Sequence, residues 1–234
     1  MTRSSISQRS ETKAAAMDER QRLLIYGAGG HGRVVLDAAL ESGAFELCGF
    51  IDDDPATHGW CLHGVSVIGG RERLEGSEFE GCRVVIGIGT QGARRRIAEA
   101  LARLGHGFAT VIHPAAVIGR GVEIGEGTVI LPMAVVHTDA RVGRHVIVNT
   151  AASVDHDGAI GDFVHLSPGV HLGGGVHVGE GTHVGIGASV LPDVRIGANA
   201  VVGAGAAVAD DVPDGAIVAG VPSRPIRKED RGGE

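Results

Sequence analysis

Two groups of residues in this 234-residue chain have the types and spacing to do chemistry. The first is Asp155-His156-Asp157, an imidazole between two carboxylates. Histidine titrates near neutral pH, and an adjacent carboxylate orients the ring and raises its basicity, so the triplet has the make-up of a proton acceptor. The second is Gly27-Ala28-Gly29-Gly30-His31-Gly32, which follows the apolar stretch "RLLIY" and opens the helical pattern "GRVVLDAALESG". These glycines fit G-x-G-x-x-G, in which backbone N–H groups approach a phosphate at a helix N-terminus. Asp52 and Asp53 follow at about the spacing of the acid that meets a ribose in dinucleotide folds. A dehydrogenase also needs a second mononucleotide half and a substrate domain. Residues 22–110, which precede a change of period, leave too little room for both, so no NAD site is expected.

The elements that must position these groups fall into two halves. Residues 1–20 are polar and lack an apolar signal-peptide core; a disordered extension is expected there, with Met17 an alternative start. Over 21–110, strand-like runs ("RLLIYG", "FELCGFID", "CRVVIGIG") alternate with helical ones. Val34, Val35, Ala38 and Ala39 are expected to face inward from the first helix, and Ile97, Ala100, Leu101 and Leu104 from the second. This alternation predicts a small Rossmann-like α/β domain with a parallel sheet of up to about four strands.

At Val111 the period becomes six. Residues 111–212 divide into 17 consecutive hexads, and the second position of every one is Ile, Val or Leu. Such a repeat predicts a parallel β-helix, each hexad giving one short strand and a turn and three closing a triangular coil. Residues 18 apart then stack, Asn149 under Ser167 and His165 under His183, and Asp155-His156-Asp157 falls on an outward corner. The paucity of aromatics, five Phe, one Tyr and one Trp, fits a narrow bore. Residues 213–234 break the pattern and are expected to cap the open end.

Bulk properties exclude several function classes. The net charge is −7 with no long basic run, so nucleic acid is not an expected partner. No stretch is long and apolar enough for a membrane span. The three cysteines, Cys48, Cys61 and Cys82, form no C-x-x-C pair, which fits a reducing compartment, and none lies among the hexads to act as a nucleophile. The twelve histidines include no His-x4-His pair within the hexads, and His171, His177 and His183 recur every six residues and so point from three faces; no metal site is expected.

Four stretches carry a resemblance: "YGAGGHGRVV", "FIDDD", "VNTAASVDHDGAIGDFVHLSPGV" and "VAGVPSRPIR". Together they resemble the hexapeptide-repeat, left-handed β-helix nucleotide-sugar acetyltransferases. The nearest subgroup is the sialic acid O-acetyltransferase-like one, which includes bacterial UDP- and GDP-4-amino-sugar N-acetyltransferases. The resemblance implies a left-handed coil, a cytoplasmic bacterial homotrimer with sites between subunits, acetyl-CoA as co-substrate and a nucleotide-linked amino-sugar as acceptor. It implies His156 as general base with Asp157 orienting it, Asp155 being the competing acid. It implies His165, Gly174, Ile186 and Ala204 along acetyl-CoA, with His165 a candidate donor to the thioester carbonyl. It places Gly29, Gly30, His31, Asp52, Asp53, Gly89 and Asn149 on the nucleotide-sugar. Arg224, Arg227 and Lys228 are expected near the CoA phosphates on charge alone. Sugar O-acetylation and a non-catalytic hexapeptide scaffold are the alternatives.

Overall fold

The computed structural model describes residues 20–226. The expected N-terminal extension, save Arg20, and Arg227 and Lys228 lie outside the described residues. The first half comprises β1 (Gln21–Tyr26), α1 (Gly30–Ser42), β2 (Phe45–Ile51), a short antiparallel pair β3 (Cys61–Leu62) and β4 (Val65–Ser66), β5 (Arg83–Ile86) and α2 (Gln91–Arg103). Strands β2, β1 and β5, in that order, form a parallel sheet. Three strands form, not four: the remaining extended chain makes only single bridges, Phe50 to Val67 and Val84 to Phe108, before turning away.

The helices sit slightly rotated from the expected faces. From α1 the buried residues are Gly32, Val35, Leu36, Ala38 and Ala39, and Val34 is 41% exposed. The cause is close contact at Gly32, where a Cβ would lie 1.8 Å from the Gly27 carbonyl oxygen, so the helix turns its Gly32 side onto the preceding turn. From α2, Arg94, Ala98 and Leu101 are buried, Ile97 and Ala100 are partly covered, and Leu104 lies past the helix end, 49% exposed.

The second half is the β-helix. Its two-residue strands pair in parallel with partners 18 residues on, as in Ile147 to His165 to His183. They stack into three sheets. The six-stranded one starts at Val117–Ile118, the five-stranded one at Glu123–Ile124 and the eight-stranded one at Val111–Ile112. The second position of each hexad points inward, so Val148, Leu166, Val184 and Val202 form one buried aliphatic column and Val136, Val154, Leu172 and Val190 another. Each fully buried side chain of this kind contributes about 1.5–3 kcal/mol of burial.

The corners turn through a left-handed residue at the fifth position of the hexad. Glycine fills many of these, but Met133, Asp139, His145, Ala151, Asp157, Phe163, Asp193 and Asn199 adopt φ between 53° and 63°. Asp and Asn tolerate that region; the others are held there by the stacked neighbours. The coil also runs further than the hexads. Ile217–Ala219 pairs in parallel with Val201–Val202, and Arg224–Pro225 folds back antiparallel on it. The first part of the expected cap is therefore one more strand, reached by a coil two residues short of the usual 18. The halves share a core in which Val111, Val129 and Leu131 pack with residues of α1 and the parallel sheet, so the N-terminal unit covers the start of the eight-stranded sheet.

Candidate active site

His156 lies at the corner between the six-stranded and five-stranded sheets, in the turn joining Ser153–Val154 to Ala159–Ile160. Its Nδ1 is 2.8 Å from Asp157 Oδ2. Asp155 turns the other way, and its Oδ1 accepts the backbone N–H of His156 at 2.8 Å. The left-handed conformation of Asp157 is what brings its carboxylate back beside the ring. That contact raises the pKa of His156 above the usual 6.5, with Asp155 and Asp193 adding to the effect. With Nδ1–H given to Asp157, the lone pair of Nε2 is free. The ring lies against Gly174, one coil on: a Cβ there would be 2.6 Å from His156 Nε2.

A second group forms where the N-terminal unit meets the β-helix. His165 Nδ1 is 3.2 Å from the Gly89 carbonyl, and its Nε2 is 3.2 Å from Asn149 Nδ2. The carbonyl can only accept, so Nδ1 carries the proton and Nε2 accepts from the amide. Asn149 Oδ1 in turn accepts the Thr150 N–H at 2.8 Å. Burial pushes His165 down to about 3, helped by His183 and Arg94, so it is neutral. His31 stands 6.3 Å from it, ring centre to ring centre. Burial and then Arg94 push His31 down to about 4, and its Nε2 is buried without a partner.

The glycine motif divides by function. Gly27, at φ 104°, and Gly32 serve packing: Cβ atoms there would lie 2.8 Å from Ile88 Cγ1 and 1.8 Å from the Gly27 oxygen. Gly29 and Gly30 have open space where a side chain would stand. Arg33 is the first residue whose N–H bonds back into the helix, to Gly29 O at 3.1 Å, and no acid occupies the first turn. The N–H groups ahead of it, at the positive end of the helix dipole, suit an anion.

Two family models match the chain: the PglD N-terminal domain over residues 22–101, and the bacterial transferase hexapeptide (six repeats) over residues 175–210. No curated protein matches it. Among solved structures, the acetyltransferase domain of PglB from Neisseria gonorrhoeae is 38% identical with a TM-score of 0.82, covering 88% of this chain and 100% of that one. PerB from Caulobacter crescentus, solved in complex with CoA and GDP-perosamine, is 35% identical with a TM-score of 0.82 over 88% and 97%. WeeI from Acinetobacter baumannii is 28% identical with a TM-score of 0.80 over 88% and 100%. The chain belongs to the hexapeptide-repeat nucleotide-sugar acetyltransferases.

In this acetyltransferase the residues named from sequence fall into two places. His156, Asp157 and Gly174 meet at one corner; Gly89, Asn149, His165 and His31 meet at the junction of the halves. Among the described residues no hydrogen bond or ion pair joins the two groups. Ile186 and Ala204 lie on the same corner of the coil as Asn149 and Thr150, exposed and on successive coils. Several of the residues named from sequence also make structural contacts. Asp52 holds the glycine turn from below, its Oδ2 accepting the Ala28 N–H at 2.7 Å. Asp53 is engaged by the Tyr26 hydroxyl at 2.6 Å and by Arg71; burial raises its pKa, but these bonds outweigh that and hold it low. Both ring nitrogens of His165 are engaged in this structure, one with the Gly89 carbonyl and one with the Asn149 amide. Arg224 lies beside Asp210 at 3.9 Å. Sequence reasoning missed Arg94, a buried side chain that donates to five backbone carbonyls and whose helical position gave no sign of burial.

Among the described residues no helix is long and apolar enough to cross a membrane, and no group of three His, Cys, Asp or Glu could hold a metal ion. A groove of about 950 Å³ runs along the outer face of the five-stranded sheet and is lined by neither His156, Asp157 and Gly174 nor His31, Gly89, Asn149 and His165.

Proposed function

We propose that this chain transfers the acetyl group of acetyl-CoA to the 4-amino group of a nucleotide-linked amino-sugar, with His156 as the base. The observation that carries the reading is the His156–Asp157 pair: Nδ1–H is spent on the carboxylate and Nε2 is left as acceptor. The amine nitrogen attacks the thioester carbonyl carbon and its proton passes to His156 Nε2. The tetrahedral intermediate collapses, the C–S bond breaks, and the sulfur leaves with the proton that His156 returns. The products are the N-acetyl sugar nucleotide and CoA thiol. Gly29, Gly30 and His31 receive the nucleotide-sugar, with Asn149 near the amine; Ile186 and Ala204 line the thioester arm.

The complete site needs a second copy of the chain. The eight-stranded sheet is covered at its start by the N-terminal unit, and the five-stranded sheet presents Glu123, Arg141, His177 and Arg195. The six-stranded sheet presents uncharged Val117, Val135, Ser153 and Ser189 along with His171, and its flanking corners expose Met133 at 62%, Ile186 at 61% and Leu191. This is the face suited to burial against copies of itself around a threefold axis. Turned to that axis, the corner bearing His156 meets the neighbour's corner bearing Asn149, Ile186 and Ala204, which unites the two groups.

The test is CoA-thiol release from acetyl-CoA with a panel of UDP-, GDP- and dTDP-linked 4-amino-sugars, alongside sedimentation. Turnover by a trimer is expected. No turnover with any member of the panel sinks the acceptor assignment, and a monomer that turns over sinks the shared site.

A further inference from the structure

Arg94, near the start of α2, is 1% exposed, and no carboxylate pairs with it among the described residues. All five donors of its guanidinium are spent on backbone carbonyls. Nε donates to His145 O at 2.8 Å. One terminal nitrogen donates to Ile88 O at 3.0 Å and Gly89 O at 2.9 Å, the other to Phe163 O at 2.8 Å and Val164 O at 3.3 Å. These oxygens come from three segments: the loop after β5 and the corners of two successive coils. Those corners are themselves stacked, His145 on Phe163 with ring centres 5.0 Å apart.

An unpaired buried cation is costly, and one near the positive end of a helix dipole more so. Its retention calls for a use. From Gly89 O the contacts continue to His165 Nδ1, from His165 Nε2 to the Asn149 amide, and from that amide to the Thr150 N–H. Arg94 fixes the first acceptor in this relay, and the relay runs to Asn149, which the acetyl-transfer reading sets near the acceptor amine. The same charge opposes protonation of His31, His165 and His183, after burial in each case.

We propose that Arg94 is a positioning residue of the transfer reaction: it holds the Gly89 carbonyl so that His165 keeps one neutral tautomer and orients the Asn149 amide. The proposal rests on the acetyl-transfer reading above. Arg94→Lys, which keeps the charge but not the five-way fork, is expected to lower kcat about 10- to 100-fold with the acetyl-CoA KM within about twofold. In an Asn149→Ala background the same substitution is expected to cost no more than about twofold, because the group it positions is gone. Nitrogen-15 NMR of histidine-labelled wild-type protein, with His165→Asn for assignment, is expected to show His165 as the single Nδ1–H tautomer and still neutral at pH 5.

A folded Arg94→Lys enzyme with near-wild-type kcat overturns the proposal, as does the full loss recurring in the Asn149→Ala background. If the arginine variant does not fold, an Nε2–H tautomer or a protonated His165 at pH 5 in the wild-type protein overturns it. Absence of turnover in the wild-type protein would instead strike the acetyl-transfer reading, and the spectrum reads the relay without any substrate.

Discussion

His156 stands in the open, so something must aim it. Asp157 does so from one side and the bare backbone of Gly174 receives the ring on the other. Gly174→Ala is therefore expected to leave the melting temperature within a degree or two, since only a movable exposed ring must give way, while lowering kcat about tenfold or more. An unchanged kcat would mean that the ring is not held there during the reaction. The same pair sets the pH response. As the proposed base, His156 works unprotonated, and its pKa lies above 6.5, so the acid limb of the kcat/KM profile is expected to have its midpoint above that value. Asp157→Asn is expected to move the limb toward lower pH; a limb that stays put would assign it to another group. The triplet was legible in sequence because its members are adjacent. Gly174 as the seat of the ring was not, because its partner lies a full coil away, and Arg94 was not, because its five acceptors come from segments far apart in the chain.

At the scale of elements, the junction between the halves stores three neutral histidines. Burial, ahead of any charge, pushes His31 and His145 down to about 4 and His165 to about 3. Unfolded, each titrates near 6.5, so between those values the unfolded chain binds more protons than the folded one. Stability is full above pH 6.5 and falls as pH drops toward 4, by about 1 kcal/mol per histidine per pH unit. A melting temperature that is level between pH 7 and pH 5 would contradict this. The β-helix itself was plain from its hexads, because every coil repeats one instruction. The N-terminal unit was less so. Its strand count depended on where residues 52–82 spend their hydrogen bonds, and the faces of α1 and α2 depended on contacts at Gly32 and Arg94 that no helical periodicity encodes.

At the scale of the molecule, the two groups of the proposed site lie on different corners of the chain, His156 on one and Asn149 on another. The family resemblance implied a cleft between subunits; the face proposed for it was not legible in sequence, because that proposal follows from which sheet the N-terminal unit covers and which is charged.

The fixed spacing of the coils has a further consequence. Each coil advances the stack by about 4.8 Å, so Thr150, Ile186 and Ala204 mark a scale along one edge, with Ala204 about 14 Å from Thr150. In the proposed site the thioester donor lies along that edge and would be measured against it, its acyl end reaching His156 only with an arm of matching length. Duplicating one 18-residue coil between Ile186 and Ala204 would leave the graduations near the base untouched and shift the far ones. The expected result is a raised KM for acetyl-CoA with the sugar-nucleotide KM unchanged, the outcome that would make the β-helix a gauge of donor length as well as a scaffold.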